Sequence, residues 1–136
     1  MEIIVNHRKG VEFEVHAGNH VIICDQPPAN GGEDCGMTPP ELMLASLGTC
    51  AGYYAVQYLK ARNLPLDALT VRVEAEKARA PARLAKFRIE VTTPIIEERH
   101  RDGVLRAVKN CLIHHTLLTP PQIETAVTAA VPGLPV

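Results

Sequence analysis

"TPPELMLASLGTC", residues 38–50, carries a full set of helix start signals and then stays apolar for several turns. Thr38 reads as an N-cap. Pro39 reads as N1, where its missing donor costs nothing, and Glu41 as N3, the reciprocal partner of a capping box. The helix is expected from Pro39 to about Arg62, where Asn63 and Pro65 end it and Lys60 and Arg62 suit the dipole. At ~1.5 Å per residue it is about 35 Å long. From Leu42 to Leu59 it is apolar or small almost all the way round, the pattern of a central, buried helix. One chain struggles to cover such a helix, and a homodimer is the natural way to do it.

The flanking segments supply the cover. "EIIVNHR", "VEFEVH" and "HVIICD" are three strands joined at Gly10 and Gly18, with Val11, Phe13 and Val15 alternating with Glu12, Glu14 and His16. "QPPANGGEDCGM" is a loop that carries Cys35. After the helix, Leu69, Val71, Val73 and Ala75 alternate with polar residues. Leu84, Phe87, Ile89 and Val91 form the return arm, with Pro81 in the turn. "EERHRDGVLRAVKNCLIHHTLLTP" reads as a second helix with Leu105, Val108 and Leu112 on one side. Asn110 is placed to break it and to cap a short new turn from Cys111. "IETAVTAA" reads as a last strand. The expected fold is α+β, with two small antiparallel sheets of about three strands around two central helices. A single domain is expected over residues 1–131, followed by a short mobile tail over 132–136.

Composition narrows the function. The 136 residues hold 14 Lys and Arg against 15 Asp and Glu, which argues against nucleic acid as a partner. Two Phe, three Tyr and no Trp argue against a carbohydrate site or a base-stacking platform. "MEIIVNHRKG" turns charged after a few apolar residues, so no signal peptide is expected, and no run approaches the ~20 apolar residues of a membrane span. A cytoplasmic location without membrane attachment follows. There Cys24, Cys35, Cys50 and Cys111 are core fillers, metal ligands or redox groups rather than structural disulfides.

At ~100° per residue, Cys50 shares its helix face with Met43, Ser46, Leu47, Tyr54 and Gln57. Ala45, Gly48, Gly52 and Ala55 form a small-residue stripe on the other side, open to close approach by another backbone. Cys50 is then either a small buried hydrophobe or a reactive group. Glu41 and Cys50 lie on opposite faces, ~13 Å apart along the axis, so capping explains Glu41. Cys111, His114 and His115 offer at most part of a four-ligand zinc site, and Cys24 and Cys35 form no tight knuckle with them, so no metal is expected. A thiolate at a helix start, where amides lower a thiol's pKa, is the better-founded reading of Cys111. Cys24 and Cys35 stay open, as alternative resolving thiols or as inert residues. His7, His16, His20 and His100 read as surface residues. "NGGEDCG" lacks the Lys-Ser/Thr of a phosphate loop.

"TPPELMLASLGTC" followed by "KNCLIHHTL" resembles the OsmC/Ohr family of osmotically inducible and organic hydroperoxide resistance proteins. The resemblance covers nearly the whole chain, including element order. It implies an intertwined homodimer with active sites at the subunit interface and thiol-dependent reduction of organic hydroperoxides and hydrogen peroxide. Cys50 matches the peroxidatic cysteine and Cys111 the resolving one. The implied cycle runs through a Cys50 sulfenic acid and a Cys50–Cys111 disulfide, which an external dithiol or lipoyl-bearing protein reduces. No metal or organic cofactor is implied. An Arg from the early chain, held by a Glu at the start of the central helix, activates the thiol in the peroxidase members, and Arg8 and Glu41 are the matches here. The sequence departs from those members at Pro40, where their acid stands, and at Leu112, where Pro is common. A non-catalytic binding protein with an apolar ligand in the same interface pocket is the alternative.

Overall fold

The computed structural model describes residues 1–131 and 133. Its elements are β1 (Ile4–Lys9), β2 (Glu12–Ala17), β3 (His20–Cys24), a 3-10 turn at Pro28–Asn30, α1 (Pro39–Ala61), β4 (Thr70–Ala78), β5 (Arg83–Thr92), α2 (Glu98–Lys109) and α3 (Leu112–Leu118). The strands form two antiparallel sheets, β1-β2-β3 and β4-β5, so the fold is α+β with three helices.

The start and stop of α1 follow from its terminal residues. Thr38 Oγ1 accepts the Glu41 amide at 3.4 Å while its hydroxyl donates to Glu41 Oε1 at 2.9 Å. At the far end Asn63 takes a left-handed φ of 52°. Its amide donates to the Lys60 carbonyl, and the Leu64 amide donates to the Leu59 carbonyl. That is the Schellman arrangement, with Leu64 packed on the cluster that contains Leu59.

Within one chain, burial on α1 is a stripe and not a full circumference. Leu47, Ala51, Ala55 and Leu59 are its buried residues, spaced four apart on one face. Ala51, Ala55 and Leu59 pack on Val104 and Val108 of α2, with Val71, Ile89 and Val91 of the second sheet around them. Met43 and Tyr53 remain exposed. The small-residue stripe admits a strand of the same chain: Val73 and Val71 of β4 lie directly over Gly48 and Gly52.

The expected face of the second helix holds at Val108 and fails at Leu105 and Leu112. Gly103, Val104 and Val108 are buried, whereas Leu105 and Leu112 are exposed. The reason is Gly103, whose bare backbone lets Tyr58 of α1 approach so closely that a Cβ there would collide with the phenol. Tyr58 in turn shares a 3.2 Å hydrogen bond with His100 Nδ1, which removes that histidine from the set of plain surface residues.

The first sheet also reverses an expectation. Its alternation holds, but Glu12 is buried and Phe13 exposed. The loop that follows β3 folds over the Glu12 side and leaves Phe13, Val5 and Ile22 uncovered. Asp25 organises that loop. Its buried carboxylate accepts the amides of Gln26 (2.8 Å), Glu33 (3.1 Å) and Cys35 (3.1 Å).

Residues 123–130, expected as a strand, form no strand, and Ile123 and Val127 are exposed. Strand preference is realised only against a neighbour that supplies the ladder, and none among the described residues does so. The tail expected at residues 132–136 lies outside the described residues except for Gly133. Among the described residues no helix is long and apolar enough to cross a membrane.

Candidate functional site

The chain breaks between α2 and α3 to present a thiol inward. Asn110 is the C-cap of α2, and Cys111, with φ −58° and ψ 133°, takes the N-cap place of α3. The break is where the sequence puts it, but Cys111 and not Asn110 begins the new helix. Cys111 extends the Val104–Val108 face and is completely buried. α3 packs back on α1. There Cys50, half-buried and one turn after Leu47, lies near enough to act on the Cys111 thiol. Two sulfurs 61 residues apart in sequence therefore meet inside one chain.

The electrostatics correct one expectation. The amides of His114 and Ile113 do face Cys111 and favour its thiolate, as a helix start should. Burial outweighs them and pushes the Cys111 thiol up, and the neighbouring Cys50 side chain acts in the same direction. A seven-residue helix offers little field against complete desolvation.

Arg8 and Glu41, expected as a pair, have other partners in the chain. Arg8 Nε lies 3.1 Å from Glu12 Oε1, and a guanidinium nitrogen lies 3.7 Å from Glu14 Oε2. Glu41 is engaged with Thr38. The physical reason is proximity. Glu12 sits beside Arg8 across the β1–β2 turn, and its buried carboxylate holds the guanidinium on the first sheet.

Cys24 and Cys35 belong to that sheet and its loop. Cys24 is buried at the end of β3, and burial pushes its thiol up. Local desolvation of the sulfur and the carboxylates of Glu12, Asp25 and Glu33 do the same to the thiol of Cys35, an exposed residue. Glu12, Asp25 and Cys35 are the acidic and thiol side chains that converge among the described residues. Arg8 and three backbone amides already engage the two carboxylates. This cluster was not foreseen, because a buried Glu in an alternating strand looks the same in sequence as an exposed one.

Beside the dithiol an apolar cavity of about 370 Å³ opens between α1, β5 and α3, with Leu47 and His114 in its wall. The site thus combines a half-buried thiol and a buried thiol with an apolar recess nearby. That arrangement suits oxidation of one sulfur followed by capture by the other.

Known structures share this fold. A proposed osmotic-stress-induced and detoxification-response protein of Psychrobacter arcticus superposes with a TM-score of 0.77 at 19% identity, over 84% of this chain and 85% of that one. An OsmC-like protein of Mycoplasma pneumoniae follows at 0.72 and 18%, over 88% and 87%. The organic hydroperoxide resistance protein OhrB of Bacillus subtilis matches at 0.54 and 18%, over 85% and 87%. No curated protein sequence matches the chain. The family described as OsmC-like protein matches residues 31–126, a span from the loop before α1 to the residues beyond α3 that takes in both thiols, and the chain belongs to that family.

Proposed function

We propose that the protein is a cysteine peroxidase that reduces organic hydroperoxides, and hydrogen peroxide, in the cytoplasm. The observation that supports this most is the meeting of Cys50 and Cys111. The Cys50 sulfur attacks the terminal peroxide oxygen and the O–O bond breaks. The alcohol leaves with the proton, and Cys50 becomes a sulfenic acid. The Cys111 sulfur then attacks the Cys50 sulfur, the S–O bond breaks and water leaves. The disulfide takes two electrons from an external dithiol, of which a lipoyl-bearing protein is one source. Cys50 is the better first nucleophile because it is half-exposed, whereas Cys111 is sealed.

The working form is a homodimer. Val5, Phe13 and Ile22 leave an apolar sheet face open, and Met43 and Tyr53 leave α1 partly bare. Contiguous surface of this kind is normally covered by a partner.

Thiol counting tests the reading. One equivalent of an alkyl hydroperoxide should consume two thiols in the native protein, and none rapidly in Cys50→Ser. Retention of all four thiols with the protein folded would overturn it. The apolar cavity favours the second reading, a binding protein without turnover, in that event.

A further inference from the structure

The charges on the second sheet change character at its tip. Along the outer face of β4 and β5 the cations are matched by carboxylates: Arg72 with Glu74 at 2.6 Å, Lys86 with Glu76 at 3.4 Å, and Arg88 with Glu90 at 3.1 Å. Past Glu76 the ladder slips, because Glu76 pairs with Lys86 but Lys77 with Leu84. A bulge of this kind re-aims side chains, and here it leaves Glu76 and Lys77 both exposed. Beyond it run residues 77–84, "KARAPARL", with three cations and no acid. Lys77, Arg79 and Arg83 are exposed, and none of them forms an ion pair among the described residues. Arg83 donates to the carbonyls of Arg79 (3.2 Å) and Pro81 (2.9 Å), which holds the guanidinium at the turn without neutralising it.

The tip is thus a positive spot on a chain whose formal net charge is −1. Like charges gathered on one hairpin repel and do nothing for its stability. Their use lies in the field they project. Leu84 places that field on the dithiol side of the molecule. It lines the apolar recess together with Leu47 and His114, and it also lines a second cavity, of about 530 Å³, with Lys77, Arg79, Arg83 and Pro40 at the start of α1.

A small anion is held by charges that converge in a desolvated pocket. Exposed cations on two arms and a turn act instead on a broad acidic surface, over a screening length of ~8 Å at physiological salt. Redox proteins meet through small, transient contacts, and charges at the edge of such contacts set the rate of encounter. We propose that the β4–β5 tip is the docking surface for the reductant, a dithiol-bearing protein with an acidic face. The inference rests on the thiol cycle proposed above. One reductant thiolate attacks the Cys50 sulfur, the Cys50–Cys111 bond breaks, and Cys111 leaves and takes up a proton. The second reductant thiol attacks the mixed disulfide and frees Cys50. Two electrons and two protons reach this protein, and the reductant becomes the disulfide.

The experiment starts from full-length protein whose Cys50–Cys111 disulfide has been closed with diamide, so it needs no peroxide turnover. Stopped flow compares three reductants: a dihydrolipoyl domain of net negative charge, free dihydrolipoate, and uncharged dihydrolipoamide. Arg83 is kept because it holds the turn. In Lys77→Glu/Arg79→Glu the rate constant with the domain should fall about tenfold or more at low salt. Added salt should slow the native reaction and speed that of the variant, since it screens attraction in one and repulsion in the other. Lys77→Arg/Arg79→Lys should behave as native, and dihydrolipoamide should reduce all three proteins at one rate. Equal rates with the domain in native and charge-reversed protein overturn the inference and leave the thiol cycle standing. An equal loss with dihydrolipoate and with the domain also overturns it, because the tip then reads a single carboxylate. So does a charge-reversed protein that sediments as a monomer where the native protein is a dimer, which makes the tip a subunit contact. Thiols that survive peroxide, while reduction by the domain still depends on Lys77 and Arg79, sink the peroxidase and leave the docking surface intact.

Discussion

Cys50 and Cys111 approach each other within a single chain, one from the middle of α1 and the other from the N-cap of α3. The proposed disulfide therefore does not depend on a partner subunit for its second sulfur, even where the surrounding surface calls for a partner. Peroxide treatment should give a disulfide within each chain. Peptide mapping should recover Cys50 joined to Cys111, and non-reducing gels should show the oxidised protein at monomer mass. A band at dimer mass that vanishes on reduction counts against the intrachain pair.

The second half of the cycle should be the pH-sensitive half. Burial and the neighbouring Cys50 hold the Cys111 thiol above its ordinary range, so it is protonated at neutral pH. The attacking species is the thiolate, and its fraction grows about tenfold per pH unit below the pKa. Decay of the Cys50 sulfenate, followed after a single dose of peroxide, should accelerate steadily from pH 7 to pH 9. A flat profile would mean that Cys111 does not resolve the sulfenate or loses its proton to a dedicated base.

Acid should loosen the loop before α1. The amides of Cys35, Gln26 and Glu33 hold the Asp25 carboxyl below the usual carboxylate range. A lowered native pKa stabilises the fold above the unfolded value, about 3.9, and that contribution is lost as pH falls through the native one. Denaturant titrations should show Asp25→Asn to be less stable than the native protein at pH 7. The gap should narrow as pH drops below 4. A gap of constant size from pH 7 to pH 3 would show that the charge plays no part.

The α1–α2 contact should be intolerant of one methyl group. Gly103→Ala drives a Cβ into the Tyr58 phenol, and overpacking of this kind costs about 1–3 kcal/mol. The Tyr58–His100 hydrogen bond should be lost with it. Thermal unfolding should show the drop, and Gly103→Ala/Tyr58→Leu, which removes the clashing ring, should recover part of it. No change in stability would place the two helices farther apart than described here.

Much of this was readable in the sequence where a local rule has a single outcome. Thr38, Pro39 and Glu41 specify a helix start whatever packs on it, and Asn63 before Leu64 specifies its end. The strands Glu12–Ala17 and Thr70–Ala78 follow from alternation alone. Legibility stopped where the answer depended on contacts between distant segments. Alternation in β2 gives two faces but not which one the loop covers, and so Glu12 is inside and Phe13 outside. The identity of Gly103 sets the buried face of α2 through a tyrosine 45 positions earlier, which no periodicity within α2 reveals. The thiols were legible as a pair only through family resemblance. Spacing alone left Cys50 indistinguishable from a core filler.

The uncovered first sheet leads to the last prediction. Phe13 is paired with His7 and Cys24 across the sheet, and Val15 with Val5 and Ile22, so these side chains share one face. Val5, Phe13 and Ile22 are exposed there in a single chain. Burying such a face favours association by about 25 cal/mol for each Å² of apolar surface removed from water. Sedimentation should show a dimer for the native protein and a monomer for Phe13→Asp. The variant should stay folded, because Phe13 takes no part in the buried cluster of Ala51, Leu59 and Val104. Since both sulfurs belong to one chain, the monomeric variant should still form the Cys50–Cys111 disulfide with peroxide. A native protein that sediments as a monomer sinks the dimer, and a monomeric variant that cannot close the disulfide shows that the partner completes the site.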